Sequence, residues 1–574
     1  MKIQRIVQSF MVLSLVLLMV ACTGGGGQQA QTGGPHQDAL RPGGPVNVGW
    51  PLTQERQTFT IFAANGGSIV EDLMTSSFAR WYTEQTNVEV IWDTVTTGAG
   101  SIIQVRIASG DLPDAINGNL SDTQIQTYAL LDKVFVPLTN SIFNYAPNVV
   151  NMLNNYPIAR QFSYLPDGEI YSLLRVVDTF NERVTKRAWV YQPWLDLLGI
   201  GLPQTTEEFY RMLIRFRDEI PGLIGVPEVV PFAGALNGNP ANNEPESYIL
   251  NSFVYYDNST FLEILDNGRL HFVANTEEYR EGLRFLNRLY REGLLAPETW
   301  TMDRSGLLRL TEGGSQNIVG AVSAMYWGHF TTEAGPIGRD LEFVSIPPLQ
   351  GPRGVRHAMD RGQLVNNGRL VVTTAARNVD LIVQWADWFF DAHGQMNAGM
   401  TMNYGPENVG WTRAQPGQLN RHGQQAQYRL LRPADSRNTD NWFMFPPYYE
   451  SAQFIDSFVD DFMYRKEAFG GRETAVNYMP FSALNRRVPF MYFPFEQMDE
   501  ATRLIDLLRN TATGEINVWR NRFITGEASL DSDWDAYLTS LNRLGLPRYI
   551  EMYQAMYDEF VRTQGPIHGV PVRW

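Results

Sequence analysis

The side chains that most often carry out chemistry are sparse in this chain. One cysteine, Cys22, stands among 574 residues, and no motif of a serine nucleophile, a zinc-binding helix or a phosphate-binding loop is present. The seven histidines include no pair at metal-ligand spacing; they stand at positions 36, 271, 329, 357, 393, 422 and 568. A glycoside hydrolase needs only two carboxylates, and the 61 acidic residues leave that reaction open. We therefore expect no metal and no cofactor, and a secreted carbohydrate-active hydrolase stays as an alternative.

The chemistry expected of the Cys22 thiol follows from the residues before it. Lys2 and Arg5 give a positive start, and an apolar run over 6–20 leads to the tetrapeptide Met-Val-Ala-Cys at 19–22. This order is typical of a secretory signal peptide, and the run is short for a membrane span. The tetrapeptide resembles a bacterial lipobox, with methionine in place of the usual leucine, and in a lipobox the cysteine carries the lipid. An ordinary cleaved signal with an incidental cysteine is the alternative.

These features predict where the protein works. We expect a signal peptide over 1–21 and a lipidated Cys22 that opens a flexible tether over 22–57, rich in glycine and glutamine. The lipid would hold the protein on the outer face of the bacterial cytoplasmic membrane. A single cysteine also excludes an intramolecular disulfide, so packing must stabilise the folded part.

Composition narrows the class of protein further. The net charge of −15 argues against nucleic acid as a partner and against an anionic bilayer as a binding surface. With 44% hydrophobic residues the chain is globular, and its length suits two or more domains. Lysine occurs only four times, so arginine supplies nearly all of the positive charge. Arginine side chains can bind an acidic ligand, but their number alone does not indicate that the ligand is acidic.

The periodicity of apolar residues predicts an α/β protein. A strand over 58–63, a helix over 71–86 and a strand over 88–92 make a βαβ unit, and a helix over 101–108 follows. A further helix is expected to begin at the capping box of Thr205. Four more helices are expected over 275–292, 380–392, 532–544 and 547–562, and a buried strand is expected over 370–373.

An ordered set of short motifs carries a family resemblance. They are Ser-Gly-Asp-Leu-Pro-Asp at 109–114, Asp-Gly-Glu-Ile-Tyr at 167–171, Trp-Val-Tyr-Gln-Pro-Trp-Leu-Asp-Leu-Leu-Gly at 189–199, Leu-Tyr-Arg-Glu-Gly-Leu-Leu at 289–295, Gly-Pro-Arg-Gly at 351–354, Tyr-Gly-Pro-Glu at 404–407, Phe-Ile-Thr-Gly at 523–526 and Trp-Asp-Ala-Tyr at 534–537. Together they resemble the large family-1 extracellular solute-binding proteins of bacterial ABC sugar importers. The similarity runs in order from about residue 59 to 560.

The resemblance implies a two-lobe, periplasmic-binding-protein-like α/β fold with the ligand in the cleft between the lobes. Chain crossings are expected near 171–178, 362–370 and 404–411. The implied N-terminal lobe comprises 58–174 with 363–404, and the implied C-terminal lobe comprises 175–362 with 405–574.

The resemblance also implies a function. A monomer of this kind captures a carbohydrate, in this branch an oligosaccharide, and delivers it to the permease subunits of an ABC importer. It would be a binding protein and not an enzyme. A lipoprotein that senses or scaffolds without transport is a further alternative, because sensors can reuse the same fold.

Sugar recognition combines aromatic faces with carboxylates and amides, which narrows the candidate ligand residues. On the first lobe, Asn65, Asp93 and Asp114 are expected just beyond strand or helix ends, although turn or cap chemistry explains such residues equally well. Trp327 follows an apolar strand where the family often presents a stacking ring.

Three further candidates flank the last proposed crossing, namely Tyr404, Glu407 and Trp411. Local packing is the alternative reading for each of them.

One departure concerns calcium. Long members of this branch often carry an Asp-, Asn- and Gly-rich calcium loop after the helix that begins at Thr205. The equivalent segment, 217–225, offers only two carboxylates, whereas calcium needs six to eight oxygens, so we do not carry this site over.

Overall fold

The computed structural model describes residues 49–564, with gaps at 65–72, 74–75, 96–97, 119, 179, 237–242, 332–338, 363, 392–397, 421, 432–439, 443–445, 461–476 and 511–512. Its strands are β1 (Gln57–Ala64), β2 (Val88–Val95), β3 (Ala115–Asn117), β4 (Ser172–Val177), β5 (Ala188–Tyr191), β6 (Val230–Ala233), β7 (Leu262–Ile264), β8 (Leu270–Phe272), β9 (Val319–Ser323), β10 (Phe343–Ile346), β11 (Leu364–Val372), β12 (Trp411–Arg413), β13 (Tyr428–Leu430) and β14 (Tyr448–Glu450).

The helices of the described residues are α1 (Ser77–Thr86), α2 (Ala99–Ser109), α3 (Asp122–Gln126), α4 (Thr139–Tyr145), α5 (Pro147–Asn155), α6 (Pro157–Ser163), α7 (Phe180–Arg183), α8 (Gln192–Leu198), α9 (Thr206–Ile224), α10 (Pro245–Leu250), α11 (Glu277–Arg291), α12 (Arg304–Glu312), α13 (Val379–Asp387), α14 (Ala398–Tyr404), α15 (Ala452–Ile455), α16 (Met498–Arg509), α17 (Glu515–Thr525), α18 (Trp534–Leu544) and α19 (Leu546–Gln564). In this part of the chain no helix is long and apolar enough to cross a membrane.

The first lobe is built on a six-stranded sheet in the order β14-β4-β11-β3-β1-β2. All strands run in one direction except β11, which is antiparallel to both of its neighbours. The predicted β1-α1-β2 unit is present, and Phe78 and Tyr82 of α1 are buried beneath the sheet. This core includes a cluster of aromatic rings, and the Tyr82 hydroxyl donates to the carbonyl of Trp385 at 2.6 Å. A sheet of parallel strands covered by helices is the arrangement expected from alternating strand and helix periodicity.

The second lobe is built on a four-stranded sheet in the order β10-β5-β9-β6. Strand β5 is antiparallel to β10 and β9, while β6 and β9 are parallel. Its large core unites α9, α11 and the C-terminal helices α16 to α19. The predicted capping box is present, with the Thr205 side chain accepting from the Glu208 amide at 3.1 Å and Glu208 reaching back to the Thr205 amide at 3.3 Å.

The expected α/β two-lobe fold is confirmed, but one expected lobe boundary differs from the sheet that forms. The expected second lobe includes all residues after 404, whereas β14 pairs with β4 in the first sheet. The ribbon of β12 and β13 shares a small core with Tyr404, which belongs to α14. The chain therefore returns to the second lobe only after Glu450, because the parallel edge of β4 accepts one more strand.

The end of the expected tether also differs from the structure. Trp50 packs edge-on against Trp81, Tyr82 and Trp388 with ring centroids 5.2–5.6 Å apart. Residues 49–56 are therefore part of the first lobe and not of a flexible tether. The rest of the signal peptide and tether, with Cys22, lies outside the described residues.

The segment 217–225, which the family resemblance equates with a calcium loop, is helical up to Ile224. Its carboxylates are engaged by arginines, Asp218 by Arg217 and Glu219 by Arg215, each at 2.6 Å. Among the described residues, no group of three histidine, cysteine or acidic side chains is placed to hold a metal ion.

Candidate functional site

The chain crosses between the two sheets at the carboxyl ends of their parallel strands. Strand β4 ends at Val177, and ten intervening residues lead to β5 at Ala188; β10 ends at Ile346 and leads back to β11 at Leu364. Because β1, β2, β3, β4 and β14 run together, their carboxyl ends all lie at the edge where the chain crosses. The carboxyl ends of β6, β9 and β10 lie at the crossing edge of the second sheet for the same reason. Two such edges facing each other form the usual ligand position in α/β proteins.

Ion pairs hold the crossings together. Asp360 accepts from Arg183 at 2.6 and 3.2 Å, from the Ser482 hydroxyl at 2.6 Å and from the Gly362 amide at 2.8 Å. Glu182 pairs with Arg361. These contacts join three successive passages of the chain between the lobes, near 183, 360 and 482.

The edge of the second lobe carries a buried, charge-balanced pair. The Lys186 ammonium lies 2.8 Å from Glu244, and both side chains are about 7% exposed. Lys186 precedes β5, and Glu244 precedes α10 on the connection that leaves β6. Because each charge has its partner, this corner presents polar atoms without a net charge.

A neutral histidine stands at the same edge. The Nδ1 of His329 lies 2.8 Å from the Asn243 side-chain oxygen. Burial lowers the pKa of His329 to about 3, and the nearby Arg304 adds to the effect. The imidazole is therefore uncharged at neutral pH and donates from Nδ1 to the amide oxygen.

The aromatic ring presented after β9 is that of Tyr326. The expected ligand residue Trp327 is only 3% exposed and packs against Trp189 with ring centroids 5.8 Å apart. Tyr326 is half-buried, and its ring lies 5.4 Å from that of His329 in an edge-on arrangement. The 3-10 turn that starts at Trp327 turns the tryptophan inward, and strand periodicity gives no sign of such a turn.

The other sequence candidates lie on the first lobe and are not brought together. Asp93 pairs with Arg106 near the end of β2, while Asp114 precedes β3 at its far end. The Asp114 carboxylate accepts from the amide and hydroxyl of Thr60 at 2.7 and 2.9 Å. Asn65 lies outside the described residues.

Tyr404, Glu407 and Trp411 form a separate group beside the first sheet. Trp411 is 1% exposed, and its indole donates to the carbonyl of Gly405 at 2.9 Å. Tyr404 is buried in the same small core, and Glu407 is exposed. A ligand role for these residues stays a proposal, and packing accounts for the two rings.

Sequence reasoning missed Lys186, Glu244, Asn243, Tyr326 and His329 as edge residues. Lys186 is one of only four lysines and lies eight residues beyond the expected first crossing at 171–178, and its rarity was the available signal. The others depend on how loops fold after strands, which spacing does not reveal.

No family model matches the chain. It is 24% identical over 530 residues to the fructooligosaccharide ABC transporter substrate-binding protein FusA of Streptococcus pneumoniae serotype 4, covering 89% of this chain and 92% of that protein. The structure of FusA in complex with kestose superposes with a TM-score of 0.72 at 21% identity, covering 88% of this chain and all of that one.

The fold is that of a two-lobe solute-binding protein. An HMO-binding, ABC-transporter-associated solute-binding protein of Bifidobacterium longum infantis gives the same TM-score of 0.72 at 14% identity, covering 88% of this chain and 99% of that chain. The resemblance to solute-binding proteins of ABC oligosaccharide importers, expected from the ordered motifs, is thereby confirmed.

Proposed function

We propose that this protein captures an oligosaccharide between its two lobes and delivers it to the permease of an ABC importer, acting as a binding protein and not as an enzyme. The observation that carries the proposal is the similarity to FusA over nearly the whole of both chains. The facing sheet edges supply the place where such a ligand fits.

The chemistry of these edges suits an uncharged sugar. Lys186 is neutralised by Glu244, Asp93 by Arg106 and Glu182 by Arg361. A carboxylate sugar would bring a charge without a counter-charge, which is costly in a closed cleft. Amides, a neutral histidine and a tyrosine ring instead suit hydroxyls and C–H faces.

A thermal-shift screen tests the proposal with neutral oligosaccharides, such as kestose, against uronate oligosaccharides of equal length. A ligand that binds only the folded protein stabilises it by about 2.7 kcal/mol at a hundredfold excess over Kd. We expect a rise in Tm with neutral sugars alone. A rise in Tm with uronate oligosaccharides alone would contradict the proposal that the sugar is uncharged. The absence of any rise in Tm with these sugars would contradict the capture of oligosaccharides.

We also propose that a lipid on Cys22 holds the protein on the outer face of the cytoplasmic membrane. The lipobox-like tetrapeptide at 19–22 and the glycine-rich residues after it support this. In a bacterial host fed labelled palmitate, the wild-type chain should carry label and sediment with membranes, and Cys22→Ser should lose both properties. Label retained by Cys22→Ser would contradict the anchor.

A further inference from the structure

An extended segment after the third crossing lies between the two lobes. Val488 is buried in the core of the second lobe, and the side chains of 490–493 then alternate in direction. Phe490 and Tyr492 contact the first lobe, whereas Met491 and Phe493 pack on the core of the second. Alternation of this kind is the property of extended backbone, whose successive side chains point to opposite sides.

Tyr492 is anchored in a polar socket of the first lobe. Its hydroxyl accepts from the side-chain amide of Asn367 at 2.7 Å. The same hydroxyl lies 2.9 Å from the Phe162 carbonyl and 3.3 Å from the Asp122 carboxylate, which accept its hydrogen. Asn367 is itself held by Ser172 and, at 3.1 Å, by Asp122.

The socket is part of the ligand-facing edge. Asp122 opens α3, five residues after β3 ends at Asn117, and Asn367 lies in the bulge of β11. Gly368 makes this bulge possible because its φ of +65° and a Cβ contact of 2.4 Å to the Leu120 carbonyl leave room for glycine only.

A ring pair reinforces the anchor. Phe490 stacks on Phe162 with centroids 4.2 Å apart and planes inclined by 19°. The Gln161 side chain donates to the Phe490 carbonyl at 3.4 Å. On the other side, Phe493 meets Tyr553 of α19 edge-on at 5.2 Å.

The segment accompanies the second crossing into the first lobe. Arg487 donates to the carbonyl of Arg361 at 2.5 Å, and Ser482 bridges to Ala358. Five residues beyond Arg487, Tyr492 meets Asn367, which lies six residues beyond Arg361. The lobes can therefore change their relative orientation only by bending this segment or by withdrawing Tyr492 from its socket.

We propose that residues 488–493 form an interlobe clasp, anchored by Tyr492, which narrows the range of lobe orientations in the ligand-free protein. Its consequence for affinity rests on the proposed function. When the lobes are already held in place, the protein loses less conformational entropy as it binds a ligand that contacts both lobes.

Interlobe distances test the clasp without any ligand. Spin labels are placed at Glu84→Cys on the first lobe and Arg291→Cys on the second, in the full chain carrying Cys22→Ser in mild detergent. We expect Tyr492→Phe to widen the distribution of distances between the labels. The matched control is Tyr449→Phe, which removes a hydroxyl bonded to Tyr156 at 2.5 Å within the first lobe and should leave the distribution unchanged. Equal widths in Tyr492→Phe and the parent would overturn the proposal.

A second variant and a second readout guard against a folding artefact. Phe490→Leu keeps an apolar side chain but removes the stacked ring, and it should widen the distribution in the same way; an unchanged width would overturn the clasp. Tyr492→Phe should also raise the Kd for an oligosaccharide that binds the parent, by about fivefold. If no oligosaccharide binds the parent, the proposed function fails, while the distance measurement still decides the clasp.

Discussion

At the residue scale, we propose that Tyr326, rather than its neighbour Trp327, offers its ring to a ligand at the edge of the second lobe. Trp327 is inside the core with Trp189, whereas Tyr326 is half-buried and backed by His329. The sequence predicted a stacking role for Trp327 because a tryptophan follows an apolar strand there, but its ring is only 3% exposed. The choice between adjacent rings depends on the turn that follows β9, and that turn is set by the surrounding packing.

Replacing Tyr326 should therefore weaken sugar binding more than it weakens folding. We expect Tyr326→Ala to raise the Kd for a bound oligosaccharide about tenfold, since it removes an aromatic face worth about 1 kcal/mol or more. Isothermal titration calorimetry measures this change in Kd. Tyr145→Ala, at a half-buried ring that ends α4, is the matched control. Equal Kd values in Tyr326→Ala and the control would remove Tyr326 from the site.

At the scale of elements, one buried acid joins two helices of the first lobe. Asp387, at the end of α13, accepts from the Val149 amide and the Asn148 side chain, both at 2.9 Å. The Asp387 carboxylate of α13 thus caps the first turn of α5, a different helix. Burial raises the pKa of Asp387 to about 7, although these hydrogen bonds oppose the shift.

The raised pKa of Asp387 predicts the direction of a pH effect on stability. Between the unfolded pKa near 3.8 and the folded value near 7, the folded protein binds more protons than the unfolded chain, so this group's contribution falls as pH rises. We expect the Tm to fall from pH 5 to pH 8, and Asp387→Asn to make that fall smaller. Scanning fluorimetry across this range measures both slopes. Identical slopes would show that Asp387 does not titrate there.

Element order was predictable where local patterns are strong. The capping box at Thr205, the βαβ start and the C-terminal pair of helices follow from spacing and caps alone. The addition of β14 to the first sheet was not predictable, because a strand of three residues carries no signal of the strand with which it pairs. The same holds for the clasp, whose alternating contacts have meaning only once both lobes are in place.

At the scale of the whole molecule, the two lobes and their crossings fit the proposed capture of an oligosaccharide. Asp360 ties three passages of the chain, and the clasp adds a fourth contact beside them. The lobes are therefore joined closely at one side, while their facing strand ends stay available to a ligand. The motif order predicted this architecture through a family resemblance, whereas composition and periodicity alone predict only an α/β protein.

The central claim is that the protein binds an oligosaccharide between its lobes and leaves it intact. Isothermal titration with a neutral oligosaccharide that raises the Tm, followed by mass spectrometry of the same sample, tests it most directly. We predict saturable binding at one site per chain and recovery of the unshortened sugar. Shortened products, abolished by removal of one pair of carboxylates, would contradict the account and identify a hydrolase.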